Sequence, residues 1–179
     1  MNMISEEDIR AEVVRRVAEE MMTAARTAPK ARGKDNLVAA LATGKEILDI
    51  AARMEAIGQR LEKPNFFTRD AGNIKQATAL VLLGTKIQSQ GVKLCGRCGF
   101  PDCEEKDLHP GFPCTFNTGD LGIAIGSAVS IAMDKRVDNR IMYTVGQAVL
   151  EMKLLGEEVK IAFGIPLSVS EKNPFFDRK

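Results

Sequence analysis

The chain has 179 residues, 45% of them hydrophobic, with twenty-five basic side chains against twenty-four acidic ones and a net charge of +1. That length and apolar content suit one domain over 1–179 that buries its own core, and so even a charge balance argues against nucleic acid or an anionic membrane as partner. No apolar run reaches the ~20 residues of a membrane helix and no signal-peptide core stands at the N-terminus, so a cytoplasmic protein with reduced thiols is expected.

Ser5 reads as the N-cap of a first helix, with Glu6, Glu7 and Asp8 in the turn where the helix dipole favours acids. Ile9, Val13, Val17, Met21, Ala24 and Ala28 recur at three- and four-residue steps and predict one buried stripe as far as Pro29. The segment 26–33 that ends this helix is basic and turn-forming. Two readings stay open there: solvated charge after a helix stop, or an anion site in which Arg26, Lys30 and Arg32 converge on a phosphate.

A short helix is expected from Asp35 or Asn36 to Thr43, then a longer one over 45–61 with Ile47, Ile50, Ala51, Met54, Ile57 and Leu61 inside. The stretch 63–70 reads as a loop anchored by Phe66 and Phe67, followed by a turn of helix over 71–76. Residues 78–87 are apolar on both faces and predict a buried strand.

A cysteine-rich loop over 91–118 follows as an insertion. It holds every cysteine of the chain, Cys95, Cys98, Cys103 and Cys114, spaced C-x2-C-x4-C-x10-C. Gly96 and Gly99 allow positive φ, so backbone N–H groups can turn toward thiolate or sulfide, and Pro101, Pro110 and Pro113 stiffen the loop. An iron–sulfur cluster is the favoured ligand because its cysteines start close together in sequence, although the spacing matches neither common ferredoxin pattern. Zinc is the alternative, but structural zinc sites usually use two C-x2-C knuckles and only one is present. Two disulfides are allowed by the even count and fit a small secreted scaffold better than this chain. His109, the one histidine, is read as a surface or hydrogen-bonding residue rather than a ligand. Asp102, Glu104, Glu105 and Asp107 make the loop acidic, which would lower a cluster's potential.

Thr118 or Asp120 is the expected cap of a helix whose interior, 121–133, carries no charge and is read as a buried central helix. An amphipathic helix over 139–155 and a strand over 158–165 come next, and Pro166 opens an irregular, Phe-rich tail that packs on this subunit or on a neighbour. The fold expected is α+β, about five helices on a small sheet containing 78–87 and 158–165. The uncharged helix and the tail offer surfaces for a homodimer.

The run Leu94-Cys-Gly-Arg-Cys-Gly-Phe-Pro-Asp-Cys103 resembles the Cys-Gly-x-Cys-Gly-x-x-x-Cys core of 4Fe-4S domains in corrinoid iron-sulfur proteins and in the B subunit of the Rnf electron-transport complex. Their fourth cysteine usually lies further downstream than Cys114. Over Ala28-Pro-Lys-Ala-Arg-Gly33, the cysteine run, Gly119-Asp-Leu-Gly122, Gly164-Ile-Pro-Leu-Ser168 and Asn173-Pro-Phe-Phe-Asp-Arg178, the chain is similar to the family described as ferredoxin-domain-containing proteins. That resemblance implies a cluster and no reaction; the leading expectation is a redox protein with a 4Fe-4S cluster on Cys95, Cys98, Cys103 and Cys114 that passes single electrons, its redox partner protein unspecified. A non-catalytic metal-binding or cluster-sensing domain is the competing class. The order of the basic segment, the small-residue helix and the closing strand-Gly-Ile-Pro segment also resembles the flavin-dependent nitroreductase fold. That likeness implies FMN as a second cofactor, with its phosphate on Arg26, Lys30 and Arg32.

Overall fold

The computed structural model describes residues 3–61 and 65–176. Ser5 opens α1 (Glu6–Thr27), its hydroxyl accepting the Glu7 N–H at 3.3 Å. The buried stripe is Val14, Val17, Ala18, Met21 and Ala25, while Ile9 and Val13, expected inside, are 41% and 42% exposed. The expected stripe is thus turned by about one residue, because α1 lies against a second long helix as well as the sheet.

Leu37–Ala42 is a strand, β1, where a short helix was expected. Alanine and leucine favour helix locally, but six residues scarcely nucleate one, and here they pair antiparallel with β2 (Ala79–Lys86), from Leu37 opposite Thr85 to Ala42 opposite Leu80. α2 (Gly44–Gln59) buries Ile47, Ile50, Ala51, Met54 and Ile57 as its periodicity predicts, whereas Leu61, also expected inside, lies past the helix end and is 43% exposed. α3 (Phe66–Ile74) starts inside the stretch read as a loop, since the Asn65 side chain accepts the Thr68 N–H at 3.1 Å and donates to the Gly58 carbonyl at 3.0 Å. Lys63 and Pro64 lie outside the described residues, as do Asp177 and Arg178. Phe67 is core and Phe66 is 48% exposed.

The remaining elements are α4 (Cys103–Asp107), α5 (Thr115–Asp134), β3 (Asp138–Asn139), α6 (Tyr143–Glu151), β4 (Val159–Ser168) and a 3-10 turn at Pro174–Phe176. The strands form one antiparallel sheet in the order β1-β2-β4-β3. β2 is central, and its alternation explains why it is apolar on both faces. Leu80 and Leu82 join a core with α2, α3 and α6, whereas Ala79, Val81 and Leu83 join a second core with α1 and α5. This is an α+β architecture, a sheet sandwiched between two helical layers.

β4 runs on through Pro166 to Ser168 instead of ending at 165. Gly164 exchanges both backbone bonds with Met142, at 2.8 and 3.1 Å, on the β3 side. Two residues on, the Pro166 nitrogen faces that same side, where the ladder is interrupted between Asn139 and Met142, so its missing N–H costs no sheet bond. The same pairing delays α6 to Tyr143, four residues later than expected. The Phe-rich tail packs on this subunit. Phe175 is fully buried, its carbonyl accepts from Arg140 at 2.8 Å, and Arg140 also reaches the buried Asp70.

α5 has no charged side chain between Leu121 and Met133, yet it is not buried all round. Leu121, Ala124, Ile125, Ala128 and Ala132 face α1 and the sheet, while Gly122, Ile123, Gly126 and Met133 lie on an open side, Met133 being 62% exposed. Among the described residues no helix is long and apolar enough to cross a membrane.

Candidate functional site

The segment between β2 and α5 is anchored at several points before the first cysteine. Gln88 N–H donates to Asn117 Oδ1 at 2.9 Å, Ser89 Oγ to Asp107 Oδ1 at 2.6 Å, and the carbonyls of Gln90 and Gly91 each accept from Arg32 Nη1 at 2.9 Å. Asn117 and Asp120 belong to the first turns of α5, and both are buried. The loop is therefore held by the start of the helix that follows it and by the basic segment that follows α1.

Beyond Gly91 the backbone turns tightly. Leu94, Gly96 and Gly99 have φ of 55°, 58° and 90°, and Gly99 N–H donates to the Gly96 carbonyl at 3.3 Å. Leu94 takes a left-handed conformation that disfavours a branched side chain, a local cost that the surrounding turn must enforce. Asp102 caps α4 through the Glu105 N–H at 2.8 Å, which sets Cys103 as its first residue. Cys114 is the N-cap residue of α5, and Thr115 Oγ donates to the Arg97 carbonyl at 3.0 Å, tying the far end of the loop to its beginning. The helix thus starts at Thr115, earlier than its expected caps Thr118 and Asp120. Asp120 instead accepts the Ala31 N–H at 3.1 Å.

These restraints bring all four cysteines to the wall of one small cavity, together with Gln90, Gly96, Phe100 and Phe116. All four are free thiols; Cys114 is buried and the other three are partly exposed. Cys114 stands at the N-terminus of a twenty-residue helix, where the dipole favours negative charge. His109 lies outside this wall. Its ring stacks on Phe100 with centroids 5.1 Å apart and meets Phe112 edge-on, so the histidine belongs to an aromatic cap beside the cavity. Asp102, Glu104, Glu105 and Asp107 are all exposed.

The three cations of the basic segment point to different partners on the chain. Arg26 pairs with Asp35 and donates to the Leu37 carbonyl at 3.0 Å. Lys30 Nζ caps the end of α1 through the carbonyls of Ala25, Arg26 and Ala28. Arg32, itself at φ 56°, reaches across to Gln90 and Gly91.

Burial pushes the Asp35 carboxyl up, but the Arg26 hydrogen bond, the Leu37 N–H and the charges of Arg26 and Lys30 outweigh it and hold its pKa below the usual 3.8. A pKa lowered by folding contributes stability that is present above the unfolded value and is lost as pH falls through the folded one. Asp35→Asn is expected to cost up to about 1 kcal/mol at pH 7, as a half-exposed ion pair does, and progressively less as pH falls below 3.8. Urea unfolding of the two proteins at neutral and acid pH checks this; an equal difference at both contradicts it.

Gln90 carries no local signal in the sequence. Asn117 and Asp120 could have been found, because they are polar residues spaced i, i+3 on the same face as Leu121 and Ala124, where a solvated residue is out of place.

The fold is that of the nitroreductases. A nitroreductase with bound FMN from Desulfitobacterium hafniense superposes with a TM-score of 0.61 at 16% identity, covering 96% of this chain and 81% of the other. A nitroreductase family protein from Clostridium novyi gives 0.60 at 14%, over 88% and 75%, and a BluB-like flavoprotein from Clostridium difficile 0.57 at 18%, over 96% and 84%. The chain itself belongs to the family described as "uncharacterized protein containing a ferredoxin domain", whose profile matches residues 110–178 and so takes in Cys114. An uncharacterized protein of Archaeoglobus fulgidus is 36% identical over 184 residues, spanning 98% of this chain and 97% of its own.

Proposed function

We propose that this chain is an iron–sulfur redox protein, in which Cys95, Cys98, Cys103 and Cys114 hold a 4Fe-4S cluster that exchanges single electrons with a flavin bound on the neighbouring basic segment. The observation that carries the reading is the convergence of all four thiols on one cavity. The donor set fits: four thiolates match the ligation of such clusters, and glycines at positive φ open the backbone beside them. A lone zinc fits less well, since structural zinc sites usually pair two C-x2-C knuckles and this loop has one, at Cys95 and Cys98. The ferredoxin-domain description of the family supports the same reading. When bound, the cluster supplies a one-electron carrier; the protein's part is to hold it, exclude water and set its potential. Phe100 and Phe116 contribute an apolar wall, and the aromatic cap of Phe100, His109 and Phe112 shields one side.

The flavin half rests on position. Arg32 links the basic segment directly to the cavity wall through Gln90 and Gly91, so a cofactor held by Arg26, Lys30 and Arg32 would sit beside the cluster loop. The FMN of the D. hafniense structure supports this choice of cofactor. To receive a phosphate, Arg26 and Lys30 must exchange their bonds to Asp35 and to the end of α1 for bonds to the ligand. We read the open side of α5 as the face that pairs two copies into a homodimer, since Ile123 and Met133 are exposed on a stretch without charge.

Low-temperature EPR of the anaerobic protein after dithionite tests the electron-transfer claim: a signal from a singly reduced cluster is expected, and its absence at full iron loading contradicts the reading. For the flavin, titration with FMN followed by fluorescence is expected to show saturable binding, weakened tenfold or more in Arg26→Ala with iron content unchanged. No binding to the unmodified protein at ~100 µM would put the affinity weaker than roughly -5.5 kcal/mol and remove flavin from the account. Arg32 is the less clean variant, because it also holds the cysteine loop.

A further inference from the structure

Gln90 lines the same cavity as the four cysteines, is 1% exposed, and has neither its amide nitrogen nor its amide oxygen hydrogen-bonded to the chain. A buried, unpaired amide is destabilising, and leucine or methionine at this position would avoid that cost. The residue is also fixed in place: its carbonyl accepts from Arg32 Nη1 at 2.9 Å and from Lys34 Nζ at 3.4 Å, and Ser89 beside it is tied to Asp107. A restrained backbone with an unpaired side-chain amide is the arrangement of a group held ready for a partner that is not part of the protein.

Building on the cluster proposed above, we infer that Gln90 is a potential-setting residue whose side-chain N–H donates a hydrogen bond to a sulfur of the cluster or of a ligating thiolate. Sulfur bound to iron is the acceptor that the cavity's four cysteines would bring next to it. An added electron increases negative charge on those sulfurs, so an N–H donor stabilises the reduced state more than the oxidised one and raises the potential. This would oppose the lowering expected from the exposed acids of the loop, whose charges are screened by solvent.

The test is a redox titration of anaerobically reconstituted protein, monitored by EPR, comparing wild type, Gln90→Leu and Gln90→Glu. Gln90→Leu removes donor and acceptor together in a similar volume; it is expected to keep its iron and sulfide and to shift the reduced-to-oxidised ratio at a fixed potential about tenfold toward the oxidised form, which for one electron is ~59 mV downward. Gln90→Glu keeps size and polarity but loses the donor when ionised, and its potential is expected to be lower still. If the leucine variant fails to hold iron, the glutamate variant carries the test. A potential equal to wild type in whichever variant assembles overturns the inference, and means that a buried water rather than the cluster satisfies the amide. Wild-type protein that assembles no cluster overturns the reading beneath it, a result distinct from an assembled cluster indifferent to Gln90.

Discussion

Replacing Cys98 by serine is expected to abolish cluster assembly, with loss of nearly all bound iron and sulfide, and to loosen the loop from Gly91 to Cys114. Among the described residues the loop's own backbone bonds join positions only three or four apart, such as Gly99 to Gly96, Lys106 to Asp102, His109 to Lys106 and Phe112 to His109, and the side-chain bond from Thr115 to the Arg97 carbonyl ties its far end to its beginning. Ligation must therefore supply much of its order, and metal binding is folding free energy for such a segment. Cys95→Ser and Cys103→Ser should behave alike. Cys114→Ser separates ligation from fold with particular clarity. Cys114 makes no side-chain capping bond, whereas serine is among the best N-cap residues, so α5 should start as before while the cavity loses a thiolate. Iron and sulfide analysis beside circular dichroism reads both effects; full iron retention in Cys98→Ser would remove the proposed ligand set.

The second large effect is on the scaffold. A Cβ placed on Gly146 would lie 1.8 Å from the Ala162 carbonyl oxygen and 2.5 Å from its carbon, both backbone atoms of a strand paired on both sides. Neither can rotate away, so Gly146→Ala must push α6 off the sheet. A loss of about 3 kcal/mol or more is expected, at the upper end of overpacking changes. Gly164→Ala also forces a shift, since Val145 Cγ1 lies 2.2 Å from the new carbon and Val145 Cβ, which no side-chain rotation moves, lies 2.6 Å away, but this contact is less severe than the 1.8 Å approach to the Ala162 oxygen and a smaller loss is expected. Urea denaturation should rank the two in this order. A Gly146→Ala protein as stable as wild type would mean that α6 does not sit against β4 as described.

Much of this was legible in the chain, and the misses share one cause. The strand around Ala79–Lys86 was readable because apolarity on two faces is a local pattern that tracks a real environment, and α2 was readable because its periodicity is long and regular. β1 was not, since Leu-Val-Ala-Ala-Leu-Ala states no preference strong enough to resist pairing with a distant strand. The same is true of Pro166, an expected strand end that proves harmless only because the neighbouring ladder is broken beside it. At the site, the cysteine spacing pointed to one shared site, and the structure brings all four thiols to the wall of one cavity. The basic segment announced three cations but not their directions, which depend on Asp35, on the carbonyl end of α1 and on a loop some sixty residues away. Gln90 lay beyond reach for a like reason. An amide between Ser89 and Gly91 becomes informative only when burial and lack of partners are seen.

Elemental analysis of protein purified without oxygen decides whether the four cysteines hold a cluster. Brown protein is expected, with about four irons and four inorganic sulfides per chain and a broad absorption near ~400 nm that bleaches on reduction. Colourless protein carrying one zinc and no sulfide would contradict it.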